Sequence, residues 1–134
     1  MKGDNDPIDA IDISDVLSHP GHVKVCRVLG AIGLLDEGET DWKIIVVDVN
    51  DSNADKLHDI DDVKREMPGL VEATIQWLRN YKIPDGKGPN AFALDGKAMD
   101  KSFALAVIEE THEQWKQLIH NKIPCKTEEY NLST

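Results

Sequence analysis

The sequence predicts an α+β domain, a partial antiparallel β-barrel packed with two main α-helices. Three observations carry this. Up to Asn50 the apolar residues fall into short strand-like runs broken by turn residues; beyond Asn50 their period changes from two to 3.6; and 134 residues is the size of one domain, long enough to bury a core.

Ile8 to Ile13 alternates as a short strand, and Ser18-His19-Pro20-Gly21 is a turn that returns the chain into Val23 to Leu35. Gly30 and Gly33 interrupt that second run and are expected at a bulge or a barrel corner. A short connection from Asp36 to Asp41, containing Gly38, leads to a third strand from Trp42 to Val49. Three strands in series, bent by glycine and tightly joined, read as part of a small antiparallel barrel.

Val63 and Met67, then Leu70, Val71, Thr74, Ile75, Leu78 and Tyr81, recur at three- and four-residue intervals, as an amphipathic helix requires. Pro68-Gly69 divides it, with Pro68 expected in the first turn of the longer piece, where its missing N–H costs little. Asp59, Asp61 and Asp62 read as favourable charge at the helix start. Pro84-Asp85-Gly86 forms a turn, and a mixed loop follows. A second helix starts at Asp100, an N-cap residue, and presents Phe103, Ala104, Val107, Ile108, Thr111, Trp115, Leu118 and Ile119 on its apolar face until Pro124 at the latest. Trp77 and Trp115 read as packing residues of their helices.

The formal charge is −10, from 25 acidic and 15 basic residues, with no basic run, which argues against nucleic acid as a partner. No apolar stretch approaches the roughly 20 residues of a membrane span, and no signal-peptide core follows Met1. Cys26 and Cys125 lack metal or redox spacing, so reduced thiols in the cytoplasm are expected. The five histidines share no ligand spacing and read as surface or helix-face residues. The chain starts abruptly in an acidic cluster, which suggests a truncated sequence.

Two acidic clusters stand out, Gly3-Asp4-Asn5-Asp6-Pro7-Ile8-Asp9 and Asp36-Glu37-Gly38-Glu39-Thr40-Asp41-Trp42-Lys43. Carboxylates crowded at strand rims repel one another unless a polyvalent cation lies between them. In the third strand Asp41, Lys43, Ile45, Val47 and Val49 share a face, and in the first Asp9 shares one with Ile11 and Ile13. A carboxylate on a core-facing side is costly unless paired or bound to metal. Asp4 and Asp6 have the opposite parity to Asp9, so Pro7 must interrupt the extended geometry if all three converge. Mg2+ typically takes one or two carboxylates together with waters and phosphate oxygens, and Lys43 beside Asp41 suits a phosphate oxygen. Acidic residues at turns are also commonly just solvated, and composition leaves both readings open. A calcium loop is disfavoured, because Asp4-Asn5-Asp6 lacks the glycine and glutamate it needs.

The first cluster, the string Leu34-Leu35-Asp36-Glu37-Gly38-Glu39-Thr40-Asp41-Trp42-Lys43, the string Tyr81-Lys82-Ile83-Pro84-Asp85-Gly86-Lys87 and the run Thr111-His112-Glu113-Gln114-Trp115-Lys116 together resemble the soluble family I inorganic pyrophosphatases of eukaryotic type. The resemblance covers most of this chain and only the C-terminal half of the family's full-length enzyme. It implies an OB-like barrel and Mg2+-dependent hydrolysis of inorganic pyrophosphate to two phosphates. It implies metal ligation by Asp4, Asp9, Asp41 and Asp36, and proton acceptance from the attacking water by Asp6. Phosphate binding falls to Lys43, Tyr81 and Lys82. Residues 1–125 would then be the C-terminal portion of a catalytic domain and 126–134 a disordered polar tail, with room for a homodimer in the full-length form. Gly86-Lys87-Gly88-Pro89-Asn90-Ala91-Phe92 departs from the family's Gly-Lys-Pro-Glu-Asn-Xaa-Phe. The family's N-terminal half, with further site residues, is not found here, so weak metal affinity with little or no turnover is expected. The competing reading is a non-catalytic metal-binding or interaction module that pairs its open barrel edge with another chain. Another metal-dependent phosphohydrolase is disfavoured because it leaves Tyr81-Lys82 unexplained.

Overall fold

The computed structural model describes residues 7–36 and 38–120. Asp4, Asp6, Glu37, Pro124, Cys125 and the expected tail lie outside them. Four strands form one open sheet in the order β1-β3-β2-β4: β1 (Asp9–Asp12), β2 (Cys26–Asp36), β3 (Glu39–Asp48) and β4 (Ala91–Phe92). Three α-helices follow the hairpin, α1 (Ile60–Glu66), α2 (Leu70–Asn80) and α3 (Lys101–Ile119), so the α+β class holds.

The sheet is mixed. β2 and β3 form the expected antiparallel hairpin, which turns through Gly38 at φ +82°, but β1 lies parallel to β3, on the side away from β2. Residues 13–25 are long enough to carry the chain past the end of the sheet, which leaves the space beside β1 for β3 rather than β2. Asp51 pins this crossing by accepting the amides of Asp15 at 2.8 Å and Val16 at 3.3 Å.

A bulge breaks the β2–β3 register between Val28 and Gly30. Gly30 is required there because a Cβ would lie 2.5 Å from the Met99 carbonyl oxygen, against which β2 is bridged. Gly33 marks no second bulge; it lies opposite Trp42, whose ring a Cβ would meet at 2.8 Å.

Both faces of the sheet are covered. On one, Leu29, Ile32, Leu34, Ile45 and Val47 pack with Leu57, Ile60, Val63, Val71 and Leu78 from the α1–α2 layer. On the other, Ala31, Trp42, Ile44 and Val46 pack with Ala104 and Val107 of α3. This explains the unbroken run Ile44-Ile45-Val46-Val47, since a strand buried on both sides has no polar face to alternate with. Trp42 therefore belongs to packing, its ring 5.2 Å from that of Phe103.

The helix starts follow their caps. Asp59 and Asp62 form a capping box on α1, and the Asp100 carboxylate accepts the Phe103 amide at 2.9 Å on α3. Pro68 does not enter α2. It sits in the turn before it, and Gly69 takes the N-cap position at φ +85°, a left-handed conformation that glycine adopts without strain. Trp77 and Trp115 are exposed rather than packed inside, stacked on Tyr81 and His112 respectively. All five histidines are exposed, as expected. Among the described residues no helix is long and apolar enough to cross a membrane.

Candidate functional site

Register brings the acidic residues of distant segments to one end of one sheet face. On β3, Asp41 lies opposite Leu34 of β2, and Lys43 lies between Ile32 of β2 and Asp9 of β1. Ladder partners point to the same side, so Asp9, Asp36, Asp41 and Lys43 all stand on the α1–α2 face at its hairpin end. The parity read from the sequence is realised.

Lys43 is the centre of this group. It is buried, and its ammonium donates to Asp9 at 2.5 Å and contacts Asp41 at 2.7 Å. Burial pulls the Lys43 pKa down, but the hydrogen bonds to Asp41 and Asp9 outweigh it and hold the value above the ordinary range. The ammonium therefore stays charged at neutral pH.

A second group stands at the C-terminus of α2. Tyr81 is the C-cap residue and packs partly against the core, with the exposed Trp77 ring stacked on it at 5.1 Å. The Lys82 ammonium is 3.4 Å from the Asp36 carboxylate and 5.5 Å from the Tyr81 ring centre. Burial again lowers the Lys82 pKa, and the charges of Tyr81 and Asp36 and a bond to Asp36 raise it further than burial lowers it. The loop after Lys82 is tied to α2 by Asn90, which donates through its amide nitrogen to Leu78 at 2.7 Å and through its backbone to Arg79 at 2.8 Å. Arg79 in turn lies 5.3 Å over the Phe92 ring.

The structure thus unites Asp9, Asp41 and Lys43 in one cluster and Asp36, Tyr81 and Lys82 in another. Asp4 and Asp6 lie outside the described residues. Among the described residues no group of three His, Cys, Asp or Glu side chains converges as a cage. The donor set nevertheless fits Mg2+. Two carboxylates, those of Asp9 and Asp41, share the Lys43 ammonium, so their oxygens are separated by no more than the sum of two hydrogen bonds, and Mg2+ typically uses one or two carboxylates. Sequence reasoning missed the Trp77 stack and a further ionic cluster of Asp12, Lys24 and Asp48 at the opposite end of β1. Spacing carries no signal for that cluster, because only strand register unites its members.

The family model described as inorganic pyrophosphatase matches residues 1–116. The inorganic pyrophosphatase of Zygosaccharomyces bailii is 56% identical over 121 residues, covering 90% of this chain and 42% of that protein. That of Schizosaccharomyces pombe is 51% identical over 127 residues, covering 95% and 44%. Among solved structures, the inorganic pyrophosphatase of Schistosoma japonicum superposes with a TM-score of 0.90 at 47% identity, over 94% of this chain and 44% of that one. An N-terminal-domain-truncated vacuolar soluble pyrophosphatase of Trypanosoma cruzi, solved in complex with PPi, gives 0.85 at 45% identity, over 90% and 45%. The chain spans less than half the length of these relatives. With a family model covering residues 1–116 and relatives more than 50% identical over nine-tenths of its length, the chain belongs to the inorganic pyrophosphatase family.

Proposed function

We propose that this chain carries the metal- and phosphate-binding part of a site for Mg2+-dependent hydrolysis of inorganic pyrophosphate to two phosphates. The observation that carries the reading is the buried Lys43 ammonium held between Asp9 and Asp41 on adjacent strands. A site for a polyanion needs fixed positive charge, and an ammonium flanked by carboxylates able to hold metal supports this reading.

In this reading Asp9, Asp41 and Asp36, with Asp4, hold the ions. When bound, Mg2+ supplies the positive charge that offsets the diphosphate and acidifies the attacking water. Lys43 and Lys82 keep their protons and bind phosphate oxygens as point charges, while the Tyr81 hydroxyl donates to another. Asp6 accepts the proton of the attacking water, a role taken from the family resemblance. The PPi bound by the Trypanosoma cruzi relative supports the choice of substrate. A cytoplasmic location, a homodimer of the longer form and the absence of nucleic acid or membrane partners belong to the same reading.

A non-catalytic interaction module is the second reading. It is favoured by the sheet edge at β1 and by the exposed Leu17, Val23 and Val25 in the segment that follows it in sequence. One assay separates the two: phosphate release from pyrophosphate with Mg2+, by these 134 residues and by a form extended to the length of the relatives. The expected result is turnover by the extended form and weak divalent-ion binding with little or no turnover by the shorter one. Comparable rates would overturn the assignment of a partial site, and no hydrolysis by either would overturn the enzyme reading.

A further inference from the structure

β1 is four residues long, parallel, and at the edge of the sheet, a weak combination for a strand that must hold a carboxylate in place. Its first residue is tied through Asp9 to Lys43. Its other end carries a polar cluster with no part in the site described above. Asp12, of opposite parity to Asp9, pairs with the Lys24 ammonium and accepts from Ser14, through the amide at 3.0 Å and the hydroxyl at 2.5 Å. The Ser14 hydroxyl oxygen also accepts the amide of Asp48, the last residue of β3, at 2.7 Å. Lys24 lies 3.7 Å from the buried Asp48 carboxylate and donates to the Ser18 hydroxyl at 2.6 Å. The cluster therefore joins the end of β1, the foot of β2 and the end of β3.

The apolar pattern of β1 does not by itself fix its register. A slip of one residue would turn Asp9, Ile11 and Ile13 to the other face and Asp12 to the core-facing one, which the core rejects. A slip of two that brings Ile13 opposite Ile45 and Ile11 opposite Lys43 keeps apolar groups on the core side. It would carry Asp9 about 7 Å along the strand, from its place opposite Lys43 to one opposite Asp41, where the two carboxylates would face each other. It would also set Asp15 where Ile13 now packs, and polar contacts reject it further: the Asp9 bond to Lys43, the Asp51 bonds to Asp15 and Val16, and the cluster at the far end of β1. Asp12 meets Lys24, and Ser14 bridges Asp12 to Asp48, in the observed register.

We propose that Lys24, with Asp12, Ser14 and Asp48, is a register lock that positions Asp9 beside Lys43 and Asp41 from the far end of β1. The positioning role rests on the reading of Asp9 as a metal ligand; the lock itself does not. Lys24 is the keystone because it is the cation between two carboxylates, and an uncharged replacement leaves Asp12 and Asp48 to repel each other.

Two measurements test this, on the parent chain, Lys24→Met, Lys24→Arg and Asp12→Asn. The first is hydrogen exchange of the backbone amides of residues 9–13 against those of β2 and β3. The second is titration with Mn2+, a paramagnetic stand-in for Mg2+. Lys24→Met and Asp12→Asn should speed exchange in 9–13 by about tenfold or more while β2 and β3 stay protected, and should weaken Mn2+ binding by about 10- to 100-fold. Lys24→Arg should restore both. Unchanged exchange in 9–13 overturns the lock, and faster exchange with unaltered Mn2+ affinity overturns its positioning role. If Lys24→Met loses protection throughout, Asp12→Asn, which keeps the cation, decides. A parent chain that binds no Mn2+ overturns the metal reading and the positioning role, while the exchange result alone upholds or overturns the lock.

Discussion

Lys43 occupies a core-facing strand position at 8% exposure, where an ammonium is retained only if its partners offset the loss of water. Asp41 and Asp9 do so, and conversely Lys43 is what lets two carboxylates stand within two hydrogen bonds of each other. Lys43→Met keeps the length of the side chain and removes the charge. Breaking a fully buried pair costs about 3–5 kcal/mol. Here the Asp9 side chain is 64% exposed and solvent screens it, so a loss nearer about 1–2 kcal/mol is expected. The same substitution should make millimolar Mg2+ a stronger stabiliser of the variant than of the parent, because a divalent cation then answers the repulsion that Lys43 had answered. Thermal melts with and without Mg2+ check this, and equal shifts would count against Asp9 and Asp41 as a shared cation site. At this scale the sequence is informative wherever alternation applies: parity alone puts Asp9 and Lys43 on the core side. The pairing of Lys82 with Asp36 joins residues far apart in sequence and is not legible that way; only the family resemblance raises Tyr81 and Lys82 above an ordinary helix end.

The elements are legible where their determinants are local. The 3.6 period locates α2 and α3, and Asp100 announces the start of α3, because caps act over three residues. Pro68 falls outside α2, against expectation, because a glycine N-cap has no side-chain signature to mark the true start. Strand order is not legible either, since it is decided by where residues 13–25 cross and by contacts such as Asp51 to Asp15. Asp59 shows the same limit. Sequence marks it as helix-start charge, yet its carboxylate accepts both the Ile60 amide at 2.7 Å and the Lys101 amide at 3.0 Å, joining the starts of α1 and α3. A cap that serves two helices should be worth more than one that serves a single helix. Asp100→Ala should cost about 1 kcal/mol and Asp59→Ala about 2 kcal/mol in urea unfolding. Equal costs would mean that the bond to Lys101 contributes nothing to stability.

At the scale of the whole molecule, a sheet covered on both faces must hold together against a net charge of −10. Two electrostatic effects then oppose each other as pH falls. Protonation relieves general repulsion, which favours the compact state. It also removes specific contacts, because among the described residues three carboxyls are held below the ordinary 3.8. Asp51 is held down by the amides of Asn53, Asp15 and Val16 despite burial. Asp62 is lowered by the His58 amide and by Arg65. For Asp12, burial raises the value, and the bonds from Lys24 and Ser14 more than reverse it. A carboxyl with a depressed folded-state pKa binds fewer protons folded than unfolded, so its contribution is complete above the unfolded value and is lost as pH falls through the folded one. The urea midpoint should therefore stay level or rise slightly from about pH 7 to about pH 5, as repulsion eases, and fall steeply below about pH 4, as these three carboxyls are protonated. Added salt separates the effects. It should raise the midpoint at about pH 7, where exposed like charges dominate, and change the onset of the acid transition little, because hydrogen-bonded carboxylates are poorly screened. In Asp51→Asn the acid limb should become shallower and the plateau lower. An unchanged slope would show that acid unfolding is set by repulsion among the accumulating positive charges rather than by loss of these bonds.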